Sequence, residues 1–383
     1  MNDLLIFLII LLAGLFFSQV FKRLHLPYVL ALIVAGIVIG PLGLNLISLT
    51  PTMLFLGSIG AIFLMFIAGL EVKIDYLSGI WKKIGLCALL NGGIPGFVGF
   101  AVTYFFGYGI LTSILVGIIF VSSSIAVIIP TLQEKGLIGT DFGSVIVGSV
   151  VIEDIASLLF LSILLQTTDP TTNLPLPIFI IVVLASVLMI RYFLPKIEVS
   201  FFSKARKGVE ERVQFVFISL IAVALFFELL GIHAIVAGFL VGLVLSKTIK
   251  NKPVESKLHV LSFGVFIPIF FLEVGIETDL TVFLQASSAI FLSLAVVVGL
   301  LFSKIVSGYL CGRLMGFSPK ERWLFGVAST PQLSTSLAVA FTALERGLID
   351  SSLQVSIVLL SVTTVLVAPI VIGFLTKQHD NTT

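Results

Sequence analysis

Ile33-Val34-Ala35-Gly36-Ile37-Val38-Ile39-Gly40 returns about 205 residues later as Ile235-Val236-Ala237-Gly238-Phe239-Leu240-Val241-Gly242. A second echo keeps nearly the same offset. Phe66-Ile67-Ala68-Gly69-Leu70-Glu71 is matched by Leu272-Glu273-Val274-Gly275-Ile276-Glu277, and an acid follows each, Asp75 or Asp279. VAGxxxG by itself is a common small-residue packing pattern between membrane helices. Two echoes in one register point to an internal duplication.

Composition identifies the medium in which the duplicated chain folds. Of 383 residues, 58% are hydrophobic and 11% charged, against about 25% charged in an average soluble domain. A water-facing surface cannot be built from that supply. A soluble enzyme, a nucleic-acid binder and a disordered tail are excluded together, which leaves a membrane-embedded protein. The net charge of +2 with mean hydropathy +1.22 reports topology rather than a ligand. Cys87 and Cys311 both lie in apolar runs, and are read as packing thiols rather than a disulfide framework. Leu4 to Phe21 has no basic region before it and no small-residue cleavage site after it, so it is read as a retained helix.

A helix needs roughly 20 apolar residues to cross the hydrocarbon core. Thirteen runs bounded by charge or Gly/Pro clusters qualify: 3–21, 28–46, 53–70, 84–106, 110–135, 144–166, 176–195, 212–230, 232–247, 260–277, 284–312, 322–345 and 352–375. Sorted over alternate connections, all but two of the 22 Lys and Arg residues fall on one set of sides; Arg346 falls on the other, and Lys304 lies inside a run. Because basic loops stay cytoplasmic, the N-terminus is expected outside and the C-terminus in the cytoplasm of a multi-pass cytoplasmic-membrane protein.

The offset of about 205 residues steps over seven crossings, so the two copies, approximately 28–166 and 232–375, face opposite ways. The expected fold class is an all-α integral membrane protein with two inverted-topology repeats. Such repeats build secondary transporters, whose site lies at the midplane and is lined by discontinuous helices. Both matching places carry a polar break: Ser122-Ser123-Ser124 followed by Pro130, and Ser329-Thr330-Pro331-Gln332-Leu333-Ser334-Thr335-Ser336. An unwound segment frees carbonyls and hydroxyls for a cation, and flanking half-helix ends add opposed partial charges. Ser122, Ser123, Ser124, Thr330, Pro331, Gln332 and Ser334 are therefore candidate backbone and hydroxyl ligands.

Glu153 and Asp154 stand mid-run in 148–160, GSVVIEDIASLLF. An ionisable group at a helix centre costs roughly 2.5–3.5 kcal/mol, so the two acids and Lys304 would cost on the order of 8–10 kcal/mol unpaired. Neighbouring helical positions point about 100° apart. Glu153, in line with Ser149 and Ser157, is expected to turn toward a neighbouring helix and Lys304, while Asp154 faces a hydrated gap. A carboxylate without a cation of its own needs water, a bound ion or a proton. A partly desolvated carboxylate holds its proton more tightly than one in water, so a hard monovalent cation and a proton compete for one site. If the bare site cannot pass the apolar barrier and the loaded one can, strict exchange follows. Glu228 and His233 flank a short turn and are expected at the interface. Glu71, Asp75, Glu277 and Asp279 are expected to anchor or cap helix ends, and Glu273 has no assigned role.

Three stretches, VVIEDIASLL at 150–159, the paired breaks at 122–136 and 329–340, and FFLEVGIETDL at 270–280, resemble the bacterial monovalent cation:proton antiporter family 2, within the sodium/proton exchanger superfamily, over essentially the whole chain. The resemblance implies that Asp154 is the essential ion- and proton-binding carboxylate. Glu153 stands at a position that is Asp in electrogenic relatives and Asn or Gln in others, and Lys304 is similar to the lysine paired with that first acid. Ser334 stands where many relatives place an acid. The resemblance further implies a homodimer in the lipid bilayer, with a mobile core (84–166 and 284–375) sliding past a dimerisation scaffold formed by the remaining helices. Some potassium-exporting relatives append a cytoplasmic nucleotide-binding domain. None is expected within this chain, which ends at Thr383.

The expected function is exchange of Na+ (or Li+) for H+, with K+/H+ exchange as the alternative; no cofactor, nucleic acid or enzymatic activity is expected. A cation channel would not need a protonatable residue whose occupancy gates movement, and an organic-anion symporter would not favour two acids at its centre. Intramembrane aspartyl proteolysis would need aspartates on two helices. ATP-driven pumping would need the G-x-x-x-x-G-K-[ST] loop, which the chain lacks.

Overall fold

The computed structural model describes residues 3–377 apart from 24–27, 42, 72–79, 125–126, 129–131, 133–136, 138–139, 169–173, 204–207, 231, 233, 247–248, 250–251 and 282–286. Every regular element among the described residues is helical, as a bilayer demands of backbone groups that water cannot satisfy. In chain order the helices are α1 (Asp3–Arg23), α2 (Tyr28–Ile39), α3 (Pro51–Glu71), α4 (Trp81–Phe105), α5 (Ile110–Val121), α6 (Asp141–Thr168), α7 (Leu176–Ser203) and α8 (Val209–Leu229). They continue with α9 (Ala234–Leu245), α10 (Lys252–Leu261), α11 (Ile267–Glu277), α12 (Ser287–Leu314), α13 (Pro319–Ala328), α14 (Ser334–Glu345) and α15 (Ser351–Lys377), with a π-helical turn, Ser262–Phe266, joining α10 to α11. Nine spans among the described residues are long and apolar enough to cross a membrane, and Tyr28–Ile39, Ile110–Val121, Ala234–Leu245 and Thr335–Glu345 are shorter apolar helices. Each of the thirteen apolar runs overlaps a described helix.

Local chemistry explains the boundaries. Gly316 takes φ +76° just past α12, a left-handed conformation that costs glycine little. The next helix then starts on a capping box: Ser318 accepts from the Glu321 backbone N–H while the Glu321 carboxylate accepts from the Ser318 N–H.

Lipid supplies no hydrophobic force between helices, so close van der Waals approach must hold them together. The repeated glycines provide it. A Cβ at Gly36 of α2 would overlap the Leu272 carbonyl and stand 2.9 Å from Gly275 Cα of α11, and one at Gly275 would overlap the Ile33 carbonyl. In the other pair, Gly238 and Gly242 of α9 lie against the Ile62 and Phe66 carbonyls of α3, and Gly69 of α3 against the Phe239 carbonyl. The VAGxxxG helix of each half thus docks on the glycine- and acid-bearing helix of the other.

Cys87 and Cys311 do not remain separate thiols. Their Cα atoms are 5.4 Å apart and a disulfide joins α4 to α12. The expectation of two packing thiols fails because a separation of 224 residues carries no signal of the close docking of these helices. Glu228 is exposed, as an interfacial residue would be, and the Asp279 carboxylate accepts from the Thr281 backbone N–H at 2.9 Å, a local cap. Asp75, Pro130 and His233 lie outside the described residues, as do the side chains of Glu71 and Ser334.

Candidate ion-binding site

Two interruptions meet in the interior. α5 ends at Val121 because Ser122 turns extended (φ −67°, ψ 165°). Residues 329–333 separate α13 from α14, and Pro331, which lacks an N–H, cannot continue a helix there. The extended pieces bind each other. The Ser124 backbone N–H donates to the Pro331 carbonyl at 2.7 Å and the Ser123 hydroxyl to the Ser329 carbonyl at 2.8 Å. The Gln332 amide donates to the Ser122 carbonyl, and its Oε1 accepts from the Ser122 hydroxyl at 3.3 Å and from the Ser336 hydroxyl. The Gln332 backbone N–H donates to Thr364 Oγ1 of α15 at 3.0 Å. Helix ends of opposite partial charge are thereby held at one depth.

α6 presents Glu153 and Asp154 to this crossing, each only 1% exposed. Lys304 of α12, fully buried, places Nζ 2.9 Å from Glu153 Oε2, 2.8 Å from Ser123 Oγ, 2.9 Å from the Val121 carbonyl and 3.0 Å from the Asn91 carbonyl. The Val121 carbonyl is the free C-terminal end of α5, a favourable place for a cation. Glu153 Oε1 accepts from Asn91 Nδ2 at 2.9 Å, and Asn91 Oδ1 in turn accepts from the Ser307 and Ser329 hydroxyls at 2.9 and 3.1 Å. The ammonium is thus matched by a carboxylate and neutral acceptors, the arrangement a buried ion pair needs to offset its desolvation.

Asp154 is differently placed. Its Oδ1 accepts from the Thr335 hydroxyl at 3.2 Å. The Ser123 backbone also bonds to it, yet among the described residues it has no ion-pair partner. It is buried rather than open to a hydrated gap.

Ser122, Ser123, Ser124, Pro331 and Gln332 are gathered at the crossing. The Ser124 hydroxyl has no hydrogen-bond partner among the described residues, and the residue's backbone joins the crossing through Pro331. Thr330 is buried at the break, and its hydroxyl bonds back to the Val327 carbonyl at 2.8 Å. Two residues escape the sequence reading. Asn91, the junction of the Lys304 and Glu153 contacts, is signalled only as an amide followed by two glycines inside an apolar run, and Thr335 hides within the second polar break.

A polytopic helical body in which a buried carboxylate, without an ion-pair partner among the described residues, lies where the end of α5 meets the break between α13 and α14 has the architecture of a secondary transporter. The chain matches the transmembrane sodium/hydrogen exchanger family over residues 7–378, and it belongs to that family. It is 31% identical over 371 residues to the "Probable Na(+)/H(+) antiporter 3" of Methanocaldococcus jannaschii, covering 96% of this chain and 95% of the relative. It is 27% identical over 350 residues to the "Na(+)/H(+)-K(+) antiporter GerN" of Bacillus cereus, covering 91% and 89%. The sodium proton antiporter MjNhaP1 from Methanocaldococcus jannaschii superposes with TM-score 0.79 at 18% identity over 96% of both chains, a likeness of fold.

Proposed function

We propose that the protein is a secondary active antiporter that exchanges Na+ (or Li+) for H+ across the cytoplasmic membrane. The observation that carries this reading is that Lys304 is bonded to Glu153 while Asp154, equally buried, has no ion-pair partner of its own among the described residues. A bare carboxylate there is penalised by several kcal/mol, so it takes up either a proton or a small hard cation. The cation would be coordinated by Asp154 together with the Thr335 and Ser124 hydroxyls and the carbonyls of the crossed segments. Loading by one expels the other, and only a loaded site crosses the apolar barrier. Glu153 and Lys304 orient the helices around that site and set its local charge.

In this reading the core (84–166 and 284–375) moves as an elevator past the remaining helices, which pair two protomers in a homodimer. The N-terminus is outside and the C-terminus cytoplasmic. K+/H+ exchange is the second reading, favoured by the likeness to a relative named for both Na+ and K+.

The test is reconstitution into liposomes holding a pH-sensitive dye, with Na+, Li+ or K+ added in turn. The expected result is a cation-dependent pH change that Asp154→Asn abolishes; undiminished exchange in that variant would overturn the site assignment.

A further inference from the structure

Glu273 takes no part in the site above and is the least accommodated acid in the described protein. It lies on α11 one turn before Glu277, with 0% exposure. Neither carboxyl oxygen has a hydrogen-bond partner among the described residues. The side chain turns into α3, where Gly57 makes room for it: a Cβ at position 57 would overlap Oε2. At the matching place in the first half stands Ile67. The acid is therefore confined to one half, and helix packing, which both halves share, does not account for it.

Among the described residues, the surroundings offer no compensating cation. α2 carries no charged residue, and α3 none between Pro51 and Leu70; α1 is charged only at its ends, by Asp3, Lys22 and Arg23, and the Ser262–Phe266 turn is uncharged. Among the described residues, the two charged groups near enough to act on Glu273 are both acids, Glu277 of its own helix and Glu345 at the end of α14; Arg346 acts on Glu345. An ionised carboxylate in this place would be unpaired, unsolvated and repelled, whereas the protonated carboxyl leaves only a neutral polar group buried.

α14 packs against this face. Phe341 meets Phe270 of α11 with ring centroids 6.0 Å apart, and Thr335 reaches the Met65 sulfur of α3 at 3.9 Å. α11 and α3 belong to the proposed scaffold and α14 to the proposed moving core. α3 would stay in place as the core moved, but sliding of α14 along this face would shift Glu345 relative to Glu273 and open the side of the acid's surroundings on which α14 packs.

We propose that Glu273 is a second proton-binding site, separate from Asp154, which keeps its proton while α14 covers it and gives it up when α14 moves off. The O–H bond breaks, the proton passes to entering water, and the charge stays on the solvated carboxylate. With the orientation proposed above, that water lies outside, so the exchanger would respond to external pH through a group that carries no cargo. The movement rests on the elevator reading; the presence of the bound proton does not.

Infrared spectroscopy of the reconstituted protein separates the two. In an Asp154→Asn background at about pH 8, where an ordinary carboxylate is ionised, the carbonyl-stretch band of a protonated carboxyl should be present and should be lost on adding Glu273→Gln. An unchanged band would overturn the proposal whether or not the protein transports. In liposomes, Glu273→Gln with Asp154 intact should exchange cations with the alkaline limb of its external-pH profile lost, while the internal-pH profile is kept. An external-pH profile superimposable on the unmodified protein's would refute the coupling to movement. Should the glutamine variant not fold, Glu273→Met offers the same comparison without a polar group.

Discussion

Removing the Lys304 ammonium should show how strongly the buried pair is coupled. In Lys304→Met the chain keeps its bulk, but Glu153 loses the contact at 2.9 Å and retains only the Asn91 amide and the Ser123 hydroxyl. Both side chains are at 0% exposure, so solvent cannot rescue the orphaned charge, and breaking such a pair costs about 3–5 kcal/mol. An unfolding entropy of about 2.1 cal/mol/K per residue over 383 residues gives roughly 0.8 kcal/mol/K. The loss should then lower the apparent melting temperature by about 4–6 °C. With Glu153→Gln in place, the same Lys304→Met change should cost markedly less, because no carboxylate is stranded. Scanning fluorimetry of the four proteins of this double-mutant cycle, in one detergent at one scan rate, measures the difference. Additive effects of the two substitutions would refute the pairing energetics.

Two further outcomes follow from other contacts. Cys87→Ser, or reduction of the unmodified protein, should lower the melting temperature by the amount that corresponds to losing a cross-link between α4 and α12, about 2–5 kcal/mol; thiol labelling of the unfolded chain without reductant, if it finds two free cysteines, would contradict the disulfide. Tyr108, in the turn between α4 and α5, donates to both Asp350 oxygens at 3.2 and 3.1 Å. Burial first, and then the neighbouring Asp350 charge, raise its phenol above the ordinary value of 10.0. The folded protein therefore holds this proton more tightly than the unfolded chain does. The resulting stability is present below about pH 10 and is lost as pH rises beyond it, so Tyr108→Phe should flatten the alkaline loss of melting temperature. An identical slope would argue against that bond.

Much of this protein is legible along the chain because a bilayer enforces simple local rules. An apolar run must be long enough to cross, and a charge inside one is expensive enough to stand out. The thirteen runs, the echoed glycines, the acids at 153 and 154, Lys304 and the breaks at 122–124 and 329–333 are all visible before any coordinates. Two long-range relations are also visible in the sequence, the duplication written in repeated small residues and the match of a buried lysine to a buried acid.

Tertiary structure alone decides which groups meet. Helices apolar on every side carry no stripe to show how they are rotated, so nothing local says that Asn91 reaches both Glu153 and the hydroxyls of Ser307 and Ser329, or that Thr335 rather than Thr330 bonds Asp154. The Cys87–Cys311 link and the seating of Glu273 against Gly57 are likewise set by how closely helices far apart in the chain dock. Membrane solubility selects composition and length, whereas partner choice depends on angles and separations of a few ångströms that only the packed body fixes.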